Sequence, residues 1–456
     1  MMKREIDNYE GKRTVNAIER LIESDLESPK SICVIGDAMA DVWIDGERQE
    51  CQEGCVRFNH RKTTVVAGGA ANAARQLCHW NSKTNLIAPI QYHNAFDGVN
   101  DELCIPGHDI PYKTRYIDQE GRVVFRSDVE TRKVSGELRL MLTDNFYSLD
   151  WNGILISDYD KGFLGISSIR GKIEHSIEFD IPCVVDPKKH PRIYQGAILK
   201  TNAAYLDKFH DASEHVPGCV VTFGGSPPIV LGEQAQPILH EALRPVRVKN
   251  IVGAGDCFAA HMTLALAHGL DLHEAVRIAH SAGRLFVQNS YERPPWPHEI
   301  RKDLDPVAGK VLRNPLAALR QSDGGRIVFT NGVFRIPHAG HAWLMNWAKK
   351  QGDTLVVGIN DDASAARQKP GQVVLSLEER IAVLAAMECV DWIVPFSEDE
   401  PNEIMKILKP DALVKGSEYT GSIVPGHDLV KEVLFAPDGP FLSHASHLVE
   451  KCRTNF

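Results

Sequence analysis

The sequence predicts an α/β protein built from two consecutive units, and three observations carry that prediction. Uninterrupted apolar runs of strand length alternate with stretches whose apolar residues recur at helical spacing, as in a parallel sheet covered on both faces. The alternation stops at a proline-rich break and resumes beyond it with a second set of strands. The chain has 456 residues, and a prior of ~150 residues per domain suggests two or three folding units.

In the first unit the expected strands are SICVIGD (31–37), GILISD (153–158), IPCVVD (181–186) and CVVTFG (219–224). Stretches 42–58 and 113–128 alternate polar and apolar residues instead, which suits exposed strands forming a small β lid beside the main sheet. A long helical segment ends near Gln288, YERPPWPHEI then breaks periodicity with three prolines, and QSDGG (321–325) adds a flexible stretch. Domains are therefore expected at 1–300 and 326–456, with a linker over 301–325. Beyond it, RIVFTNG (326–332), TLVVGIN (354–360) and WIVPF (392–396) read as strands, with LMNWAKKQ (344–351) and LEERIAVLAAMECV (377–390) as crossover helices. No short repeat appears, so the two units are expected to be different folds.

Composition narrows the function. Hydrophobic residues at 43% and charged residues at 24% fit a globular protein with a packed core. The excess of 60 acidic over 51 basic side chains, with no basic block, argues against nucleic acid as a partner. The charged N-terminal stretch lacks the apolar segment of a signal peptide, and no later run approaches about 18 apolar residues. A cytoplasmic protein without a membrane partner is expected. Cys33, Cys183 and Cys219 lie in apolar strand-like runs and are expected to be reduced packing thiols. Cys51, Cys55, His60, Cys78 and His79 lack the paired spacing of a zinc site.

The sharpest local signal begins at Val252, VGAGDCFAAHMTLALAHG. Gly253, Ala254 and Gly255 are small enough for backbone amides to approach a phosphate, and the following helix aims its N-terminus at that anion. Asp256 then sits where a carboxylate could take the proton of a hydroxyl attacking the γ-phosphate of ATP. AGGAANAARQL (67–77) is another glycine-rich helix entry, and GDAMAD places Asp37 and Asp41 just past the first strand, at the carboxyl edge where α/β sheets bind ligands.

With these segments, the first 300 or so residues resemble the ribokinase-type (PfkB) carbohydrate kinases. Within them they resemble the kinase half of the bifunctional heptose-7-phosphate kinase/heptose-1-phosphate adenylyltransferases. GDAMAD is similar to that family's GDxMLD, SDYDKG (157–162) to SDYxKG, DPKK (186–189) to DPK, and KTR (113–115) to KTR. The resemblance implies a ribokinase-like domain with Asp256 as general base and Gly253, Ala254 and Gly255 as the anion hole. It implies sugar contacts from Asp37, Asp41, Gly68, Gly69 and Asn72, with Lys113, Arg115 and Arg126 for the sugar's phosphate. It places the purine nucleotide near Asn202, Thr222 and Gly224. Tyr205 stands where the family's TPNxxE has its acidic residue, and Asn250 and Val252 replace the aspartate and threonine before GAGD.

In the second unit, TNGVFRIPHAGH (330–341) puts two imidazoles three residues apart after a strand and at a helix start. Both can face the same phosphate there. The segment is similar to the HxGH signature of cytidylyltransferase-like nucleotidyltransferases, which implies a Rossmann-like domain. NDDASAARQK (360–369), LEERIAVLAAMECVDWIVPF (377–396) and PDALVKGSEYT (410–420) follow the adenylyltransferase half of the heptose family. The resemblance implies that His338 and His341 bind the triphosphate and that Lys369 assists the transferred or leaving phosphate. It gives the nucleotide pocket to Asn331, Gly332, Phe334, Gly340, Lys415 and Gly416, with Asp362 and Arg380 in support. Arg335 replaces the family's aspartate, and LSHAS (442–446) its STT-like segment.

The implied enzyme phosphorylates heptose 7-phosphate at the anomeric hydroxyl and joins heptose 1-phosphate to AMP, releasing pyrophosphate. ATP is the substrate of both steps, Mg²⁺ the expected metal and a homo-oligomer the expected assembly. The product would be the ADP-heptose of lipopolysaccharide core. The alternatives are another sugar or polyol phosphate, CTP in place of ATP, or one domain serving only as a ligand-binding module.

Overall fold

The computed structural model describes residues 17–50, 56–130, 135–187, 191–205, 216–231, 238–239, 246–288, 293–312, 325–370 and 375–440. Cys51, Cys55, Cys452, Lys188, Lys189 and the LSHAS segment lie outside the described residues. The chain divides into two compact units, Met1–Ile300 and Arg301–Phe456.

The first unit is built on an eight-stranded sheet. Its strands are β1 (Ser31–Gly36), β4 (Lys83–Ile87), β7 (Gly153–Asp158), β8 (Cys183–Pro187), β9 (Ile198–Asn202), β10 (Cys219–Phe223), β11 (Ser226–Leu231) and β12 (Ile238–Leu239). They run in the order β12-β11-β10-β9-β8-β7-β1-β4, parallel from β4 to β10. All six residues of β7 are buried, as a strand covered on both faces requires. Cys33, Cys183 and Cys219 are buried free thiols within this sheet. Ile154, Ile156, Val185 and Leu199 pack with Leu142, Phe146 and Ile173 from helices Gly136–Tyr147 and Ile166–Glu178, each such side chain contributing about 1.5–3 kcal/mol by burial.

A separate four-stranded sheet, β3-β2-β5-β6, forms the lid. The expected run 42–58 is divided between β2 (Ala38–Glu50) and β3 (Val56–Gly69), which pair antiparallel. Stretch 113–128 likewise becomes β5 (Tyr112–Ile117) and β6 (Val123–Val129). Between them the Asp118 carboxylate accepts the amides of Glu120 and Arg122, which makes the reversal. Alternation along β2 and β5 puts Asp41, Trp43, Lys113 and Arg115 on one lid face and Ala40, Val42 and Tyr112 on the other.

The second unit is an all-parallel sheet of β13 (Ile327–Gly332), β14 (Thr354–Asn360), β15 (Trp392–Phe396), β16 (Ala412–Lys415) and β17 (Glu432–Phe435). Its order β15-β14-β13-β16-β17 puts the first strand in the centre, so a switch point lies at the carboxyl ends of β13 and β16. The LEER helix spans Leu377–Ala385, shorter than the periodicity predicts, and Met387 and Val390 close its end as turns. The first stretch of the expected linker is structured. Helix Pro297–Leu304 runs into it, Lys310 Nζ donates to the Met387 carbonyl at 2.8 Å, and Leu312 N donates to Ile393 O at 2.8 Å. Among the described residues no helix is long and apolar enough to cross a membrane.

Candidate active sites

In the first unit the helix Ala254–Ala267 starts from Gly253, whose φ of 90° is the left-handed conformation that glycine adopts without cost. A Cβ on Gly253 would also lie 2.6 Å from Asn72 Nδ2. The next turn delivers Asp256, 4% exposed. Its carboxylate is held from both sides: Asn72 Nδ2 donates to Oδ2 at 2.8 Å and the Tyr159 hydroxyl donates to Oδ1 at 2.8 Å. Gln76 Nε2 donates to Asn72 Oδ1 at 2.8 Å, so the Asn72 amide must turn its NH₂ toward Asp256.

Asp41 forms a buried ion pair with Arg115, whose guanidinium stacks 4.8 Å from the Trp43 ring. Gly68 packs against the Asp41 carboxylate and Gly69 caps the helix that carries Asn72. Lys113 Nζ lies 5.2 Å from the centre of the Tyr159 ring. Arg126 shares the Arg115 face but is clamped by both oxygens of Asp128, at 2.7 and 2.6 Å.

Asp37, one of the sugar contacts that the resemblance implies, also anchors a loop through one oxygen. Its Oδ2 accepts the amides of Tyr159 at 2.8 Å and Lys161 at 3.1 Å, which pins the 157–162 loop. Burial pushes its carboxyl up to about 6, opposed by the Lys161, Tyr159 and Phe163 amides and reinforced by Asp158. The folded chain then keeps a proton between pH 4 and 6 that the unfolded chain, at 3.8, has released. Stability contributed by this group is present below pH 4 and falls as pH rises through 6, by about 3 kcal/mol. Asp37→Asn keeps an acceptor for the loop and is expected to remove that slope from the pH dependence of urea unfolding.

Asn202 and Thr222 face each other at the ends of β9 and β10, and Gly224 takes the turn beyond with φ 65° and open space around it. Sequence reasoning missed Lys200, two residues before Asn202. A Cβ on Gly255 would come within 2.8 Å of Lys200 Nζ, so this ammonium lies against the glycine loop. Its side chain is 4% exposed and stands 3.4 Å from Asp186. A lysine inside an otherwise buried strand was the available signal.

In the second unit Lys415, at the end of β16, donates to Asn331 Oδ1 at 2.6 Å across the switch point, and Gly416 follows it. Burial pushes the Lys415 ammonium down to about 8. His338 caps the helix Ala339–Lys349: its Nδ1 accepts the Gly340 amide at 3.1 Å, and His341 Nδ1 accepts the His338 amide at 3.3 Å. With both Nδ1 atoms used as acceptors, each neutral ring carries its proton on Nε2 and offers it as a donor. The rings lie 3.9 Å apart, and burial with the neighbouring His338 pushes His341 down to about 3. Phe334, with φ 49°, sets its ring edge-on to His341 and over Gly332.

Arg380 is fully buried and braces this loop. It donates to Val333 O at 2.6 Å, Asn360 O at 2.9 Å and the Asp362 carboxylate at 2.8 Å. Arg380→Met would strand two carbonyls, and the second unit is expected to lose about 3 kcal/mol, read as a lowered thermal transition. Lys369 is exposed at the C-terminal cap of helix Asp362–Gln368. Among the described residues no cluster of three or more His, Cys, Asp or Glu side chains is arranged to hold a metal.

A glycine-loop helix delivering a buried aspartate beside a lidded sheet, followed by a histidine-capped helix at a switch point, defines a carbohydrate kinase joined to a nucleotidyltransferase. Family models agree: residues 194–299 match the pfkB family carbohydrate kinases and 329–438 the cytidylyltransferase-like family. The chain is 33% identical over 442 residues to the bifunctional protein HldE of Halorhodospira halophila, covering 88% of this chain and 91% of that one. It is 30% identical to HldE of Caulobacter vibrioides, covering 88% and 92%. The chain belongs to the bifunctional HldE family. In fold it also resembles phosphofructokinase-2 from Escherichia coli, solved in complex with potassium, with a TM-score of 0.50 and 18% identity over 60% of this chain and 98% of that one.

Proposed function

We propose that the chain carries out two steps toward the ADP-heptose of lipopolysaccharide core, another enzyme removing the 7-phosphate between them, with 1–300 as kinase, 301–325 as connection and 326–456 as nucleotidyltransferase. In the first step the anomeric hydroxyl of heptose 7-phosphate attacks the γ-phosphorus of ATP. Its proton passes to Asp256, the bond from γ-phosphorus to the β-bridging oxygen breaks, and ADP leaves. The observation that carries this reading is the Asp256 carboxylate, buried at the start of the glycine-loop helix with both oxygens held. The loop amides and Lys200 face the phosphate charge, while Asp41 and the Asn72 helix bind the sugar beside Lys113 and Arg115.

The nucleotide's Mg²⁺ takes mostly phosphate and water oxygens. Asn202 Oδ1, a buried acceptor with no donor among the described residues, fits as a protein contribution, with Asp186 at the end of the neighbouring strand. The ion would neutralise phosphate charge when bound.

In the second unit heptose 1-phosphate attacks the α-phosphorus of ATP directly and pyrophosphate leaves, with no covalent enzyme intermediate. His338 and His341 donate from Nε2 to the triphosphate, and Lys415, oriented by Asn331, adds charge.

The protein is assigned to the cytoplasm and to a homo-oligomer through the lid. The reverse lid face carries Val65, Tyr112 and Val129 along a cleft of about 1160 Å³, and Phe125 beside it is 60% exposed; sedimentation tests the assembly. To test the reactions, purified protein is given Mg·ATP with D-glycero-D-manno-heptose 7-phosphate or 1-phosphate. ADP is expected from the first and pyrophosphate from the second; absence of either product removes the corresponding assignment.

A further inference from the structure

The segment SDYDKG, at the end of β7, carries a side chain to which the scheme above gives no task. Its backbone is fixed: Asp160 and Gly162 take φ values of 57° and 84°, and this bend turns the Tyr159 and Lys161 amides onto the Asp37 carboxylate. Tyr159 is thereby delivered to the centre of the kinase site. A Cβ on Gly69 would lie 3.5 Å from its ring, Lys113 of the lid lies over the ring, and its hydroxyl meets Asp256 Oδ1 at 2.8 Å. Burial and the nearby Asp256 and Asp186 push the phenol far above its usual range, so it stays a donor.

We propose that Tyr159 is a positioning residue for Asp256, its phenol fixing the carboxylate plane and keeping the carboxylate ionised and ready for the sugar hydroxyl. This rests on the reading of Asp256 as proton acceptor. With Asn72 on the other oxygen, Tyr159 holds the carboxylate in one orientation. Asp37 acts one step further back by holding the loop. The lid contributes through Lys113, so its seating and the setting of the base share one ring. Among the described residues, the charged groups near the Tyr159–Asp256 pair include Asp41, Asp186 and Lys113, with Lys200 beside Asp186, and none of them changes in the variant below.

Tyr159→Phe in the full chain removes the donor and keeps the ring. With heptose 7-phosphate and Mg·ATP, kcat for ADP formation is expected to fall about 10- to 100-fold, with KM for the sugar within about threefold. The acid limb of kcat is expected to move up by about one pH unit, because a carboxylate that loses a donor is more easily protonated. In an Asp256→Asn background the same change is expected to cost nothing further. An unchanged pH profile, or an equal proportional loss in both backgrounds, overturns the proposal while leaving Asp256 as the base. Wild-type ADP formation by Asp256→Asn alone overturns both. Pyrophosphate formation by the same preparation reports an intact chain, and if the variant melts earlier, the pH displacement measured below its transition still decides.

Discussion

Asp256→Asn is expected to lower ADP formation from ATP and heptose 7-phosphate by about 10³-fold or more while pyrophosphate formation from heptose 1-phosphate is unchanged. The amide occupies the volume of the carboxylate and costs little in packing. Its oxygen can accept from Asn72, and its NH₂ then faces the Tyr159 hydroxyl, which can turn to accept. The site therefore stays assembled and loses the proton acceptor and its charge. Substrate contacts from Asp41, Lys113 and the glycine loop are untouched, so the loss should fall on kcat rather than KM. ADP formation at the wild-type rate would remove Asp256 from the chemistry.

His338→Ala is expected to lower pyrophosphate formation by about 10²- to 10³-fold with ADP formation intact, in line with removal of one preorganised donor from a developing phosphate charge. The change deletes a cap as well, since His338 Nδ1 accepts the Gly340 amide, which costs about 1 kcal/mol of helix stability. His338→Asn separates the two effects: it can cap the helix without offering the imidazole Nε2 donor, and it is expected to restore the melting temperature but not the rate. The pH dependence follows from the two shifted groups. His341, pushed down to about 3, is neutral throughout pH 5–9 and contributes no limb there. Lys415, pushed down to about 8, loses its proton as pH rises through 8, so KM for ATP in the transferase step should increase above that pH.

Much of this arrangement is legible in the chain itself. Strand β7 is the expected GILISD run residue for residue, and β13, β14 and β15 fall where apolar runs predict them, because a strand buried on both faces leaves an unbroken apolar signal. Asp256, His338 and His341 are equally local: Asp256 and His341 sit in the first turn of their helices and His338 is the cap that begins one. The division of 42–58 between two lid strands is not legible, since both halves of an exposed hairpin show the same alternation.

Sequence alone therefore determined the two α/β units, their order, and the residues at the helix starts, since backbone propensity and hydrophobic period act within a few neighbours. Tertiary structure decided what those residues do to one another. Asn72 and Asp256 are 184 positions apart, and Lys415 and Asn331 are 84. Tyr159 reaches Asp256, Asp37 holds the 157–162 loop, and Lys200 is set against Gly255, through pairings of separate strands and helices. Such contacts depend on crossover geometry and close packing, which join distant positions without leaving a periodic trace in either segment.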